Sequence, residues 1–346
     1  MPLADRQKIH RHRDKEKDVV VICGSMGDAR ADMVRERHIA LRAAREFFYG
    51  RGYMEVETPA LMRTAPPDPY IEPLEAYVGR SGPYYLHTSP EMGMKKLVAL
   101  GHERIFQICK VFRVEEFEEH HAIEFTMLEW YMGGTYLEAM EETTELVRKV
   151  GGALGAGSAD MVAGCFKVRE VKALFLETAG LDPFPLDRDA LFSAMEERGF
   201  QGLAGCDTWA DLFFLFFVNE VEPRIRALGE APCFIKDWPA SLTAMAKKKD
   251  DHTVERFELY MNGLEIANGY TELLDAGEQR ARFSRDNASR AQRGMRVFPP
   301  DEHFLDALGC IRAPLAGVSV GIDRLLMALL RKERIGDVLQ DRLTLG

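Results

Sequence analysis

Cysteine is sparse and scattered. Six residues (Cys23, Cys109, Cys165, Cys206, Cys233 and Cys310) occur in 346, and no two form a CxxC pair. That spacing excludes a zinc ribbon and a disulfide framework and fits a reducing compartment. No apolar run approaches the ~20 residues that a membrane helix needs. The apolar stretch from Val19 to Cys23, behind the charged run from Arg11 to Lys17, is too short for the core of a signal peptide. Basic residues are in deficit. There are 45 Lys and Arg against 55 Asp and Glu, a formal net charge of −10, which argues against a broad nucleic-acid surface. Internal repeats and low-complexity linkers are also missing. The expectation is a soluble, cytoplasmic chain with no membrane association. It is 46% hydrophobic and long enough for one large domain or two ordinary ones.

Residues 1–33 have mixed charge and little periodicity. They read as an N-terminal extension, disordered or the result of a start assigned too early, with Met26 and Met33 as alternatives. From about Val34 to Tyr49 the apolar residues Ala40, Ala44 and Phe48, beside Ile39, Ala43 and Phe47, follow a helical period, which Gly50 and Gly52 end. Ile105–Val114 reads as a strand, with Glu124–Tyr131 as its antiparallel partner, and Tyr136–Val150 as a helix. Residues 151–230 read as a mainly helical insertion. Arg256–Glu272 reads as a hairpin around Asn262-Gly263, the signal of a type I′ turn. Val318–Val320 is a short strand, with a helix from Arg324 to Leu330. Strands with helices inserted between them predict an α+β domain over 34–346, built on an antiparallel β-sheet flanked by helices.

Three stretches occur in a fixed order: Gly52-Tyr53-Met54-Glu55-Val56-Glu57-Thr58-Pro59; Phe112-Arg113-Val114-Glu115 with His121 and Phe125; and Gly317-Val318-Ser319-Val320-Gly321-Ile322-Asp323-Arg324. An arginine beside glutamates is ordinarily a structural ion pair. Two fixed guanidiniums, however, suit a bent triphosphate, because each binds phosphate oxygens bidentately. In the hairpin, the turn would place Tyr260 opposite Glu265 and Glu258 opposite Ala267. The two glutamates would then share one face, as a solvated polar surface or as a pair suited to Mg²⁺.

The order and spacing of the three stretches resemble motifs 1, 2 and 3 of the class II aminoacyl-tRNA synthetases. The resemblance implies a catalytic domain of that type and activation of a carboxylate by ATP. Arg113 would hold the α-phosphate and the carboxylate, and Arg324 the γ-phosphate; both are the catalytic candidates. Gly317 and Gly321 would let the backbone approach the nucleotide. Leu86-His87-Thr88-Ser89-Pro90-Glu91, Phe125-Thr126-Met127-Leu128-Glu129-Trp130-Tyr131, Arg256-Phe257-Glu258 and Glu265-Ile266-Ala267-Asn268-Gly269-Tyr270-Thr271-Glu272 are most similar to the lysine branch. That likeness runs from about Arg35 to Val338.

It implies that Glu91 binds the amine nearest the carboxylate, while Glu272, Glu129 and Tyr131 bind the distal ammonium, with Ser89, Asn268 and Ser319 completing the substrate pocket. Arg113, Glu115, His121, Phe125, Glu265, Ile266, Gly321 and Arg324 would bind ATP, Phe125 by stacking on adenine. Glu258 and Glu265 would carry Mg²⁺, and the first motif would build a homodimer interface. Only 51 residues precede Gly52, fewer than the roughly 100 that an anticodon-binding domain needs. The chain therefore resembles the elongation factor P–(R)-β-lysine ligases, truncated lysyl-tRNA synthetase paralogues that acylate a lysine side chain of elongation factor P with lysine or (R)-β-lysine instead of charging tRNA.

The sequence departs from that family at two places. His121-Ala122-Ile123-Glu124-Phe125 stands where His-Asn-Pro-Glu-Phe is usual, which removes a side-chain amide from the nucleotide site. Ser319 stands where the ligases have alanine and the tRNA enzymes glycine, and its hydroxyl requires a partner. The rival readings are a minimal tRNA-lysylating enzyme, with Lys247-Lys248-Lys249 as its basic patch, and a catalytically silent paralogue serving as a regulatory module. Retention of both motif arginines argues against the latter.

Overall fold

In a computed structural model, residues 16–114, 119–227, 229, 231–312 and 314–339 are described. In chain order the elements are α1 (Glu16–Gly50), β1 (Met54–Glu55), β2 (Leu61–Met62), β3 (Glu75–Val78), β4 (Ser81–Leu86), α2 (Glu91–Ala99), β5 (Ile105–Phe112), β6 (Glu124–Gly133) and α3 (Tyr136–Leu154). There follow α4 (Ala156–Ala163), β7 (Lys167–Glu170), α5 (Val171–Ala179), α6 (Arg188–Glu197), α7 (Trp209–Phe216) and α8 (Glu222–Ala227). The chain closes with β8 (Cys233–Pro239), β9 (Thr253–Met261), β10 (Leu264–Thr271), α9 (Ala276–Gln292), α10 (Glu302–Leu308), β11 (Leu315–Gly321) and α11 (Ile322–Leu329).

Eight strands form one sheet in the order β1-β5-β6-β11-β10-β9-β8-β7. All neighbours are antiparallel except the two outermost pairs, β1 with β5 and β7 with β8. A smaller sheet, β2-β4-β3, lies apart from it. Successive side chains of a strand point to opposite faces, and here the two faces differ in kind. Leu128, Trp130 and Met132 of β6, Val318 and Val320 of β11, and Phe257, Leu259 and Met261 of β9 belong to one buried core with α1 and α3. Ala40, Ala43, Ala44, Phe47 and Phe48 supply the buried stripe of α1, at the spacing that brings one helix face together. Phe48 stacks on Phe106 with ring centroids 4.8 Å apart and touches Trp130 at 5.2 Å. The opposite face of the same strands carries the polar residues considered below.

Most expected elements are present, and three expectations change. The first helix begins at Glu16, not Val34, and Met33, assigned to the extension, is buried in the core. The insertion is mainly helical but also supplies β7, because Lys167–Glu170 pairs in parallel with Cys233–Lys236 and lengthens the sheet. Its helices close their own core of Phe175, Phe213, Phe216 and Phe217 over Trp238 of β8. The hairpin turn is as expected, with Asn262 at φ 51° and Gly263 at φ 76°, a pair that a type I′ turn requires. Its register is not. Tyr260 does oppose Glu265, but a β-bulge between Glu265 and Ala267 shifts the ladder, so Glu258 faces Asn268 and Ala267 faces Leu259.

That bulge shapes the site. An extra residue reverses the alternation of a strand. Glu265 before it and Asn268, Tyr270 and Glu272 after it therefore reach the same side of the sheet.

Candidate functional site

The polar face of the sheet is laid out in rows. Across four strands, Glu129 of β6 lies opposite Ser319 of β11, Ser319 opposite Asn268 of β10, and Asn268 opposite Glu258 of β9. In the next row Tyr131 faces Gly317, Gly317 faces Tyr270, and Tyr270 faces Arg256. Two cavities open over this floor, of about 260 and about 310 Å³. They share Ile71, Arg113, Met127, Arg256, Asn268 and Ser319 in their walls, so they are two ends of one cleft.

The first cavity gathers His121, Phe125, Glu258, Glu265, Ile266, Gly321 and Arg324 around Arg113. Arg113 follows the end of β5. Its Nε donates to the carbonyl of Thr88 at 3.3 Å, and its guanidinium lies over the Phe125 ring, 5.2 Å from the centroid. Arg324 stands on the first turn of α11. It donates to the carbonyls of His120 (3.2 Å) and Glu265 (3.3 Å), and its Nη1 is 3.8 Å from a Glu265 carboxylate oxygen. The base of that helix is fixed from behind. Asp323 is buried, pairs with Arg37 of α1 and accepts the Thr126 N–H at 2.7 Å. Both arginines thus have backbone anchors that fix their guanidiniums in the cavity wall. Glu115 lies outside the described residues.

Glu258 is buried, accepts the Tyr260 hydroxyl at 2.8 Å and pairs with Arg256. Burial and the neighbouring Glu265 push its carboxyl up to about 8, against the opposing pull of Arg256. Two carboxylates that repel across a cavity wall suit a divalent cation, and Glu258 and Glu265 are the pair that fits one here. Among the described residues no group of three or more His, Cys, Asp or Glu is placed to hold a metal, so such an ion would depend on phosphate and water for its remaining ligands.

The second cavity holds Ser89, Glu91, Glu129, Tyr131, Glu272 and Tyr270. Glu129 accepts from the Ser89 hydroxyl at 2.7 Å and the Tyr131 hydroxyl at 2.8 Å. Burial, followed by the charge of Glu91, raises its carboxyl to about 7. Burial likewise drives Glu272 well above the usual carboxylate range, with Lys95 opposing. Gly317 was expected to let the backbone approach the nucleotide. It packs on this second cavity, where an added Cβ would stand 2.2 Å from Glu272 Oε1 and 2.6 Å from the Tyr131 ring. Gly321 does line the first cavity. The Ser319 hydroxyl finds its partner in the carbonyl of Asn268 at 3.4 Å.

The structure therefore brings all the described candidate residues into one cleft. It adds several that sequence reasoning missed. Arg256, two residues before Glu258 and hence on the same face, donates to Asn268 Oδ1 at 3.1 Å and lies in both walls. Lys95 is fully buried between Glu91 and Glu272; its spacing of four from Glu91 on a helix was the one available signal. Asp68, Ile71 and Tyr70, from the proline-rich loop, and Phe214, from the insertion, enclose the mouth. Tyr70 meets Phe214 edge-on at 5.3 Å.

The arrangement offers a polyphosphate two guanidiniums, and a cation bound with it a carboxylate pair, at one end; at the other it offers cationic groups the carboxyls of Asp68, Glu91, Glu129 and Glu272. Arg113 stands where the ends meet. No helix of the described residues is long and apolar enough to cross a membrane.

Comparison with known proteins agrees with this geometry. Residues 25–340 match the model of the tRNA synthetases class II (D, K and N). The chain is similar to the elongation factor P–(R)-β-lysine ligase of Pseudoalteromonas translucida, with 40% identity over 315 residues, covering 88% of this chain and 94% of the relative. It is also similar to the proteins of that name from Pectobacterium atrosepticum (39%) and Salmonella typhi (38%), each over 313 residues, 88% of this chain and 93% of the relative. The chain thus belongs to the class II tRNA synthetases of the D, K and N group and, within them, to the family of the elongation factor P–(R)-β-lysine ligases.

Proposed function

We propose that this protein activates (R)-β-lysine, or lysine, with ATP and transfers it to a lysine side chain of elongation factor P. The observation that carries the reading is the position of Arg113, in the wall shared by a cavity suited to a triphosphate and one lined by Asp68, Glu91, Glu129 and Glu272. Arg113 would hold the α-phosphate and the amino acid's carboxylate side by side, and Arg324 the γ-phosphate. An oxygen of the carboxylate attacks the α-phosphorus as the bond to the β-phosphate breaks, and pyrophosphate leaves. Charge that builds on phosphorus is met by guanidiniums already in place.

In the second step a neutral amine of the acceptor attacks the carbonyl and AMP leaves. Burial beside the adenylate favours the neutral amine, and the departing phosphate is the nearest group able to take its proton. Phe125 and His121 would contact the nucleotide, and Ile266, Gly321 and Glu115 would complete that end. Glu258 and Glu265 would hold Mg²⁺, which when bound neutralises phosphate charge. At the other end Glu91 would bind the inner amine, and Glu272, Glu129 and Tyr131 the distal ammonium, with Ser89 and Asn268 positioning them. The exposed side chains of Met54, within the first motif, and of Tyr49 and Leu61, on either side of it, support its reading as a homodimer interface.

The deciding experiment supplies ATP with (R)-β-lysine or lysine, and either elongation factor P or tRNA, and weighs the acceptor. An increase in the mass of elongation factor P by one lysyl group is the expected result. Acylation of tRNA alone would replace this function by that of a minimal synthetase.

Ser319 is the residue expected to tune the isomer. It lines both cavities beside Arg113. The inner amine of (R)-β-lysine is one carbon further from the carboxylate than that of lysine. With both ends anchored, the backbone of lysine must take a different course past position 319. Ser319→Gly is expected to shift the ratio of kcat/KM toward lysine by ~1–3 kcal/mol, the scale of a methylene-sized change in a pocket. An unchanged ratio would remove Ser319 from the specificity argument.

A further inference from the structure

The diamine end of the cleft contains a cation of its own. Lys95, on the second turn of α2, is 0% exposed. Its Nζ stands 2.5 Å from Glu91 Oε1 and 2.5 Å from Glu272 Oε2. The Tyr270 hydroxyl donates to the same Glu91 oxygen at 2.5 Å. Met245 Sδ, at 3.9 Å, and the rings of Tyr270 and Phe304, with centroids 5.6 and 5.9 Å away, complete its surroundings. Glu129 and Tyr131 of β6, Asp68 and Tyr70 of the proline-rich loop, and the cations Arg113 and Arg256 are the other titratable or charged groups lining that cavity.

Lys95 is not part of the cavity wall and engages its two carboxylates from behind. It takes one oxygen of each and leaves the other. Glu272 Oε1 is buried, has no hydrogen-bond partner and lies against Gly317. An unpaired buried carboxylate oxygen is costly, and its natural complement is a cationic donor. Around Lys95 the carboxyl groups of Glu91, Glu129 and Glu272 outnumber the single ammonium. A diamino acid supplies two ammoniums, and its own carboxylate falls to Arg113.

We infer that Lys95 is the fixed counter-ion of the amino-acid pocket, a positioning residue that aims the free oxygens of Glu91 and Glu272 at a substrate bearing two ammoniums. The inference rests on the function proposed above. Burial works against the charge on Lys95, but Glu272 and Glu91 outweigh it and hold the ammonium protonated. Burial already pushes the Glu272 carboxyl up and Lys95 opposes that, so removing the cation makes Glu272 easier to protonate and neutralises an oxygen needed by the substrate.

The test is calorimetric binding of (R)-β-lysine and of lysine between about pH 6 and pH 9, with ATP binding as the reference for an intact fold. Lys95→Met is expected to weaken diamine binding ~10- to 100-fold at about pH 6.5, the loss of one charge-assisted hydrogen bond. The sign follows from the ionisation. Without Lys95 the Glu272 carboxyl rises further, so affinity is lost as pH falls and recovers toward pH 9, more steeply than in the wild type. ATP affinity should change less than ~3-fold. Equal or tighter diamine binding in Lys95→Met, or a pH profile parallel to the wild type, would overturn the inference.

Should Lys95→Met fail to fold, Lys95→Met/Glu272→Gln removes one charge of each sign and is compared with Glu272→Gln alone. Coupling through Glu272 predicts that the second substitution adds less than ~3-fold; a full additive loss would contradict it. A wild-type protein that binds ATP but neither diamine would instead overturn the functional reading on which the inference depends.

Discussion

Arg113→Ala and Arg324→Ala are each expected to lower lysine- or (R)-β-lysine-dependent exchange of pyrophosphate into ATP by ~10²- to 10³-fold, about 3–4 kcal/mol of transition-state stabilisation. The magnitude follows from what each guanidinium does. Both are held by backbone carbonyls, Arg113 by Thr88 and Arg324 by His120 and Glu265, so in the proposed roles they would meet charge on the transferring phosphoryl group without reorganising. Arg113→Lys should recover only part of the loss, since an ammonium keeps the charge but not the planar fork. The exchange is measured without tRNA, because the first half-reaction needs none. Wild-type rates in both alanine variants would show that the phosphates are bound elsewhere in the cleft.

The largest effect on stability is expected at Asp323. The Asp323–Arg37 pair joins the base of α11 to α1, with side chains only 2% and 7% exposed. Asp323 also accepts the Thr126 N–H, and Arg37 also donates to the Val338 carbonyl at 3.1 Å. Asp323→Ala leaves a buried guanidinium and a buried N–H without their acceptor, a change worth ~3–5 kcal/mol. Denaturant unfolding should register that loss as a lower midpoint with little change of slope. Because Asp323 precedes Arg324, exchange activity should fall as well, even where the variant is folded. A destabilisation below ~1 kcal/mol would mean that the pair only offsets its own desolvation.

Much of the polar floor of the cleft was legible because alternation in strands is a local property. Phe125, Met127, Glu129 and Tyr131 are spaced by two, and so are Gly317, Ser319 and Gly321. Once the strands are recognised, each set must share a face. The turn at Asn262-Gly263 was equally local, set by two residues that tolerate positive φ. The bulge was not legible. Its location depends on pairing with β9 on one side and β11 on the other, and it alone carries Glu265 to the face of Asn268. Lys95 was missed because a lysine in an amphipathic helix ordinarily faces water. Its burial follows from where Glu272 arrives from the far end of β10, 177 positions away in sequence.

The sequence by itself determined the strands and helices of the sheet's centre, the three motifs with their two arginines, and the kind of groups brought to each end of the cleft. These follow from period, turn chemistry and residue type, which act over a few neighbouring positions. Only the tertiary structure decided the register of the hairpin, the place of Gly317 against Glu272 and Tyr131, the shared wall in which Arg113 stands, and the buried cation behind the acidic pocket. Each of these depends on strands and helices distant in the chain meeting at ångström separation, and on which charges are stripped of water together when they meet.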